Sequence, residues 1–408
     1  MSVAPDRRQF MQQVSAGLAV MAWAHRDASA AGPPSVQATL TDLTGNSERI
    51  ISYRHQEHLW QTSNGAYHLI LNRGTLPPAP GLALYSSYDG GSSWVLARSF
   101  ADTNDNSTSD GVLNGDDLSL VYQTSSGNVI FEKLHYDGSM RTWTVLNSET
   151  AYASSQFEAI NPALDTDGRG TVWCAFDARD RVTNDVNIRM FSRTGGGSTW
   201  TDTGLIFGPT DHRSIERSAR PLAMSGGMGM IFTVRETMYW ATRTDTLPDN
   251  SAWTISTLFV GTPAFRTVDP YASHFSAVVD AQNNVHVVTI DNYDVFYFKR
   301  SAGSGSWTTQ VQLDDDKKAA YLQGAFANGK LTAGWSVQRG RASIVQSSDS
   351  GATFQTVAYL VLPPDAPGVS YGTARVEMPT RTNGPIVMLQ QYEDNGVQRL
   401  MLFKVPSS

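Results

Sequence analysis

The sequence predicts an all-β chain wound into a seven-bladed β-propeller with four-stranded antiparallel blades, and three observations predict it. First, an aromatic residue closes a Gly/Ser-rich turn six times, at Trp94, Trp143, Trp200, Trp253, Trp307 and Phe354, with gaps of 49, 57, 53, 54 and 47 residues. A period near fifty marks a repeat whose unit is one small sheet. Second, the chain between these turns repeats short apolar strands parted by Gly or Asn turns. Third, a last unit after Phe354 is one strand short, while Gln37–Leu43 at the other end is an unclaimed strand. A ring that shares one blade between its two termini accounts for both.

Taken in order, the first unit comprises Tyr53–Trp60, a Ser63-Asn64-Gly65 turn, Tyr67–Leu71, Ala83–Ser87 and Trp94–Ser99. Later units begin near Asp117, Asn161, Arg220, His274 and Tyr321, with turns at Ser126-Gly127, Asp167-Gly168, Gly226-Gly227, Asn283-Asn284 and Asn328-Gly329. The final unit is built from Gly372–Met378, Pro385–Gln391 and Arg399–Val405. The count is seven blades, with six the alternative if one middle unit is an insertion.

The first thirty residues read as something other than fold. Arg7-Arg8-Gln9-Phe10-Met11 precedes an apolar stretch, Val14–Ala24, and Ala28-Ser29-Ala30 offers a small-residue cleavage site. The segment resembles a twin-arginine export signal with Met in the place of Leu. Its apolar stretch is interrupted and too short to span a bilayer stably, which makes an uncleaved anchor the lesser reading. The resemblance implies a signal peptide over 1–30, a single propeller domain over 31–408, a periplasmic or secreted address, and no membrane insertion of the mature chain.

Thirty-one basic against thirty-eight acidic residues give a net charge of −7, which argues against nucleic acid as a partner. One cysteine, Cys174, sits in the apolar run Thr171–Phe176, so an internal disulfide is impossible and a buried thiol is expected. Scattered His and a single Cys carry no zinc signature, and no required cofactor is expected. The loop Asp102–Asp110, with Asp116 and Asp117 beyond it, is a candidate for a structural Ca²⁺ ion, although it lacks the Gly and closing Glu of an EF-hand. A monomer is expected.

In a propeller the inner strand of each blade begins beside the axis, so residues just before those strands converge. The converging candidates are Tyr53, Arg54, His55, Glu57 and His58 in blade one, Asp116 and Asp117 in blade two, and Glu158 and Asn161 in blade three. Blade four offers His212, Glu216, Arg217 and Arg220; blade five Tyr271 and His274; blade six Tyr321 and Gln323; blade seven Tyr371 and Arg375. Arginines from several blades fit a carboxylate or sulfate, and phenols and imidazoles supply proton-transfer groups.

Two of the aromatic turns are complete motifs, Ser87-Tyr88-Asp89-Gly90-Gly91-Ser92-Ser93-Trp94 and Ser347-Ser348-Asp349-Ser350-Gly351-Ala352-Thr353-Phe354. They resemble the Asp box of sialidase-like propellers, a turn in which Asp gathers backbone N–H groups and the aromatic folds back between sheets. The sialidase resemblance would place Tyr53-Arg54 at the first substrate arginine, though His55-Gln56 stands where that family has Ile-Pro, and would make Tyr371 with Glu216 the nucleophilic pair. Seven blades and the His/Tyr/Arg set are more similar to propeller polysaccharide lyases, which cleave beside a uronic acid. That resemblance implies an acidic glycan held by Arg54, Arg220 and Arg375, with Tyr53, Arg217 and Tyr321 as further contacts. A base would be drawn from His55 or His58 and an acid from Tyr271, His274 or Tyr371. Lyase, sialidase-like hydrolase and non-catalytic lectin all stay open, with elimination placed slightly first.

Overall fold

The computed structural model describes residues 36–51, 55–211, 217–262, 274–308, 310–314, 319–337, 340–361, 369–370 and 375–406. Among them there is no helix; every regular element is a strand, and the strands form seven sheets. The inner strands are Leu59–Gln61, Ser109–Asn114, Phe157–Thr166, Ser218–Met224, Phe275–Val279 and Ala319–Ala327, followed in blade seven by the short pair Val369–Ser370 and Val376–Glu377. Six blades are consecutive in the chain. The seventh carries Ile386–Asp394 and Val397–Val405 and takes its outer strand, Gln37–Gly45, from the other end of the chain. That ladder pairs Gln37 with Lys404 and Leu40 with Met401, slips, and resumes at Thr44 opposite Arg399. Seven sheets closed in this way exclude the six-bladed alternative.

Each blade is sandwiched by two neighbours, so its second strand is buried on both faces and reads as a near-continuous apolar run, while the outer strands are largely exposed. Gly227–Val234 and Tyr67–Asn72 are buried along their whole length. The six aromatic turns explain how the sandwiches lock. Each aromatic precedes or opens an outer strand and packs on the blade before its own. Trp143 lies 4.8 Å from His68, Trp200 5.5 Å from Phe131, Trp253 5.7 Å from Trp173, Trp307 5.6 Å from Trp240 and Phe354 4.9 Å from Tyr297, mostly edge-on. Trp94 closes the circle by packing among Leu389, Leu400 and Leu402 of blade seven.

In the two complete motifs the carboxylate works on its own turn. Asp89 Oδ1 accepts from the N–H of Ser92 and Ser93, both at 3.0 Å, while Ser87 Oγ accepts the Gly91 N–H at 2.7 Å. Asp349 and Ser347 repeat the pattern with Thr353 and Gly351. The Ser93 hydroxyl and the backbone donors hold Asp89 down to about 2. Glycine is required twice over: Gly91 and Gly351 have φ of 94° and 86°, and a Cβ would stand 2.5 Å from Leu402 Cδ2 and 1.9 Å from the Tyr297 hydroxyl respectively. The motif is therefore a fastener between blades.

Two boundaries differ from the sequence reading. Blade two begins at Ser109, not Asp117; Gly115-Asp116 is its first hairpin and Ser126-Gly127 its second, so the expected order was late by one strand. In blade three the inner strand starts at Phe157, and Asn161 sits in a bulge between Ile160 and Ala163 with φ of 52°. First and third strands run in the same direction, so the first hairpins and the aromatic turns share one end of the ring, the far face. Inner strands begin at the opposite end, the mouth. Cys174 is fully buried in blade three, and burial pushes its thiol well above the ordinary range.

Candidate functional site

The segment His55–His58, just ahead of the first inner strand, crosses the axis and reaches all six other blades. His55 stacks on Phe275 of blade five at 5.8 Å. Gln56 donates to the Pro162 carbonyl of blade three at 2.6 Å, and its own carbonyl accepts from Gln323 of blade six at 3.5 Å. The Glu57 amide donates to Asp110 of blade two at 2.7 Å, and its carboxylate accepts from Arg220 of blade four at 2.6 Å. His58 bonds the Glu377 carboxylate of blade seven through Nδ1 at 3.2 Å, and through Nε2 faces the Ser109 carbonyl at 2.7 Å. Four residues thus plug the channel.

Arg220 is the electrostatic centre of the plug. One Nη bonds Asp110 and the other Glu57, and Asp165 of blade three lies close enough to add its charge. Asp110 also accepts the Leu164 N–H at 2.8 Å, and Asp165 the Ala223 N–H at 2.7 Å. Burial works against the guanidinium charge, but Asp110, Glu57 and Asp165 outweigh it and hold Arg220 above its ordinary value. Three carboxylates share one cation, so one of them holds its proton more readily. Burial pushes Glu57 up to about 7 despite the pull of Arg220. Burial likewise raises Asp165.

These facts correct four expectations. Arg220 does not stand ready for a ligand carboxylate, because protein carboxylates already occupy both Nη atoms. Arg217 is fully buried, and His58 is fully buried with both ring nitrogens engaged. His55 is 3% exposed, out of reach of a polymer. Asp116 and Asp117 are corrected too: they lie on the far face, where Asp116 accepts from Ser63 at 2.9 Å and Asp117 pairs with His135 and Lys133. Glu158 pairs with Arg179 in its own sheet.

What the structure brings together at the mouth is His274, Tyr321 and Arg375, from blades five, six and seven. The His274 and Tyr321 rings are 5.7 Å apart at 41°, and the Arg375 guanidinium lies over the Tyr321 ring at 4.7 Å. Each backbone is pinned. The His274 carbonyl accepts from Ile290 at 3.2 Å, the Tyr321 N–H donates to Ser336 Oγ at 3.1 Å, and the Arg375 carbonyl accepts from Gln391 at 2.8 Å. Tyr321 sits in a bulge between Ala319 and Leu322, the kind of irregularity that re-aims a side chain out of a flat ladder. His274 and Tyr321 are half-buried and Arg375 is buried.

Tyr53, Arg54, His212, Glu216, Tyr271 and Tyr371 lie outside the described residues. Sequence reasoning missed Asp110, Asp165 and Glu377 as axis residues. Asp110 is the second residue of the strand that opens blade two, Ser109–Asn114. In the Asp-rich loop, Asn104 bonds the Asn106 N–H and accepts from Ser107, while Asp110 turns into the plug. Among the described residues no three His, Cys, Asp or Glu side chains converge as a metal set, and no helix is long and apolar enough to cross a membrane.

No protein-family model matches the chain, and no curated protein does. Solved structures do. A fucose-specific lectin from Aleuria aurantia is 13% identical with a TM-score of 0.46, covering 76% of this chain and 96% of that one. The polysaccharide lyase Uly1 is 12% identical with a TM-score of 0.47, covering 92% and 97%. A protein of unknown function from Dyadobacter fermentans is 12% identical with a TM-score of 0.43, covering 91% and 100%. None carries an argument about chemistry here.

Proposed function

We propose that this chain is an exported carbohydrate-active enzyme that cleaves glycosidic bonds in an acidic, uronate-bearing polysaccharide by β-elimination at the mouth of the propeller. The observation that carries this reading is the His274–Tyr321–Arg375 cluster: a cation, a phenol and an imidazole supplied by three adjacent blades, beside an axis that is otherwise neutralised and sealed.

The chemistry needs those three types. Arg375 neutralises the uronate carboxylate and so acidifies the C5 proton. His274 removes that proton; the electron pair forms the C4–C5 double bond as the C4–O bond breaks. Tyr321 gives its proton to the departing oxygen, and water is not consumed. Because the plug closes the channel, the polymer lies across one face and does not thread the ring.

The test is ultraviolet absorbance of the unsaturated uronate during incubation of the mature protein with uronate-bearing polysaccharides. A rise that falls about 10²–10³-fold in His274→Ala and Arg375→Ala, at near-unchanged melting temperature, is expected. New reducing ends without that absorbance would overturn elimination. Glycan binding with neither product would mark a lectin.

A further inference from the structure

On the far face, away from the mouth, a groove of about 410 Å³ opens where blades five, six and seven meet. We infer that it is a second saccharide-binding site, suited to a carboxylate-bearing sugar of one or two rings. Its volume falls in the range of small-ligand sites, about 300–1,000 Å³.

The lining matches that ligand by chemistry. Phe326, half-buried, and Leu331, buried, supply an apolar floor against which the C–H face of a ring can lie. Gln282, Ser348 and Asn383 bring exposed amide and hydroxyl groups from three blades, the mixed donors and acceptors that sugar hydroxyls need. Arg381 is exposed, its position held because it donates to the Val279 carbonyl at 3.1 Å. Lys299 adds a second cation at the rim by donating to the Ser350 carbonyl at 3.0 Å.

The two anions nearby do not cancel this. Asp280 is occupied by the N–H groups of Gln282 and Asn284, the Asn284 amide and His286, and Asp349 by Ser347 and Thr353. Arg381 is therefore the group left to meet a carboxylate. The groove also has a dedicated wall. Arg381–Thr382 pairs in parallel with Phe326–Ala327, an addition to the inner edge that only blade six has among the described residues.

The inference does not depend on bond cleavage at the mouth, and the experiment separates the two. The whole mature chain is titrated calorimetrically with digalacturonate, and with cellobiose as the uncharged counterpart. Expected is millimolar binding of digalacturonate that weakens at least about tenfold in Arg381→Gln and in Ser348→Trp, which fills the groove from an exposed turn, and persists in the mouth variant Arg375→Gln. Binding lost in Arg375→Gln alone would assign the heat to the mouth and overturn the groove site. Absence of binding to the wild type, or binding untouched by both groove variants, would overturn it as well. Equal binding of cellobiose would overturn its acidic specificity.

Discussion

Around one axis the propeller treats its two halves differently. In blades one, two and four, polar residues at the start of the inner strands face one another, Arg220 against Asp110 and Glu57, and Asp165, near the end of blade three's inner strand, adds its charge. In blades five to seven the corresponding positions hold His274, Tyr321 and Arg375, which meet as rings and a guanidinium. The first half sets its charge in ion pairs at the axis; in the second, His274 and Tyr321 are half-buried and Arg375, itself buried, lies over a ring. Ionisable residues converging on a channel are thus no site in themselves, since protein partners hold both Arg220 and His58.

The strongest way to break this comparison is Arg220→Ala. It would leave three carboxylates buried around an empty position, and a loss of about 3–5 kcal/mol in urea unfolding is expected. A loss under about 1 kcal/mol would mean that the plug is not held by charge. On the other half, Tyr321→Phe keeps the ring under Arg375 and removes only the hydroxyl, so turnover should fall about 10²-fold while stability stays near that of the wild type. Matched losses of activity and stability would show a structural phenol.

A finer probe is pH. The carboxyl of Glu57 is raised from 4.5 to about 7 in the folded chain, so between those values the native state binds more protons than the unfolded state. Its contribution to stability is fully present below about 4.5 and is lost as pH rises through 7. Glu57→Gln cannot lose that proton, and should flatten the fall in melting temperature between pH 5 and pH 8. An unaltered slope would place the titration elsewhere. The smallest effect is expected from Ser87→Ala, which removes the acceptor of the Gly91 N–H on the far face: about 1 kcal/mol of stability, with activity unchanged.

Seven blades, the shared closing blade and the six aromatic fasteners were all legible in the chain. Each is a local matter: Gly where φ must be positive, an Asp that hydrogen-bonds its own turn, an alternating strand, one strand missing at one end and spare at the other. The mouth was legible as a list of residues and not as a site. His274, Tyr321 and Arg375 stood on that list beside His58 and Arg220 with nothing to part them. His58 and Arg220 are held by partners 51 to 319 residues away, Ser109 and Glu377 for His58 and Asp110 for Arg220. Blade two shows the same limit on a small scale, since Asp110 and Asp117 are both polar residues before an apolar strand, and only pairing across the sheet decides which one begins at the axis. Turns and strand periods follow from neighbours along the chain, so the sequence alone determines them. Whether a charge is held in a buried ion pair, as Arg220 is, depends on what folding brings against it, and that the tertiary structure alone decides.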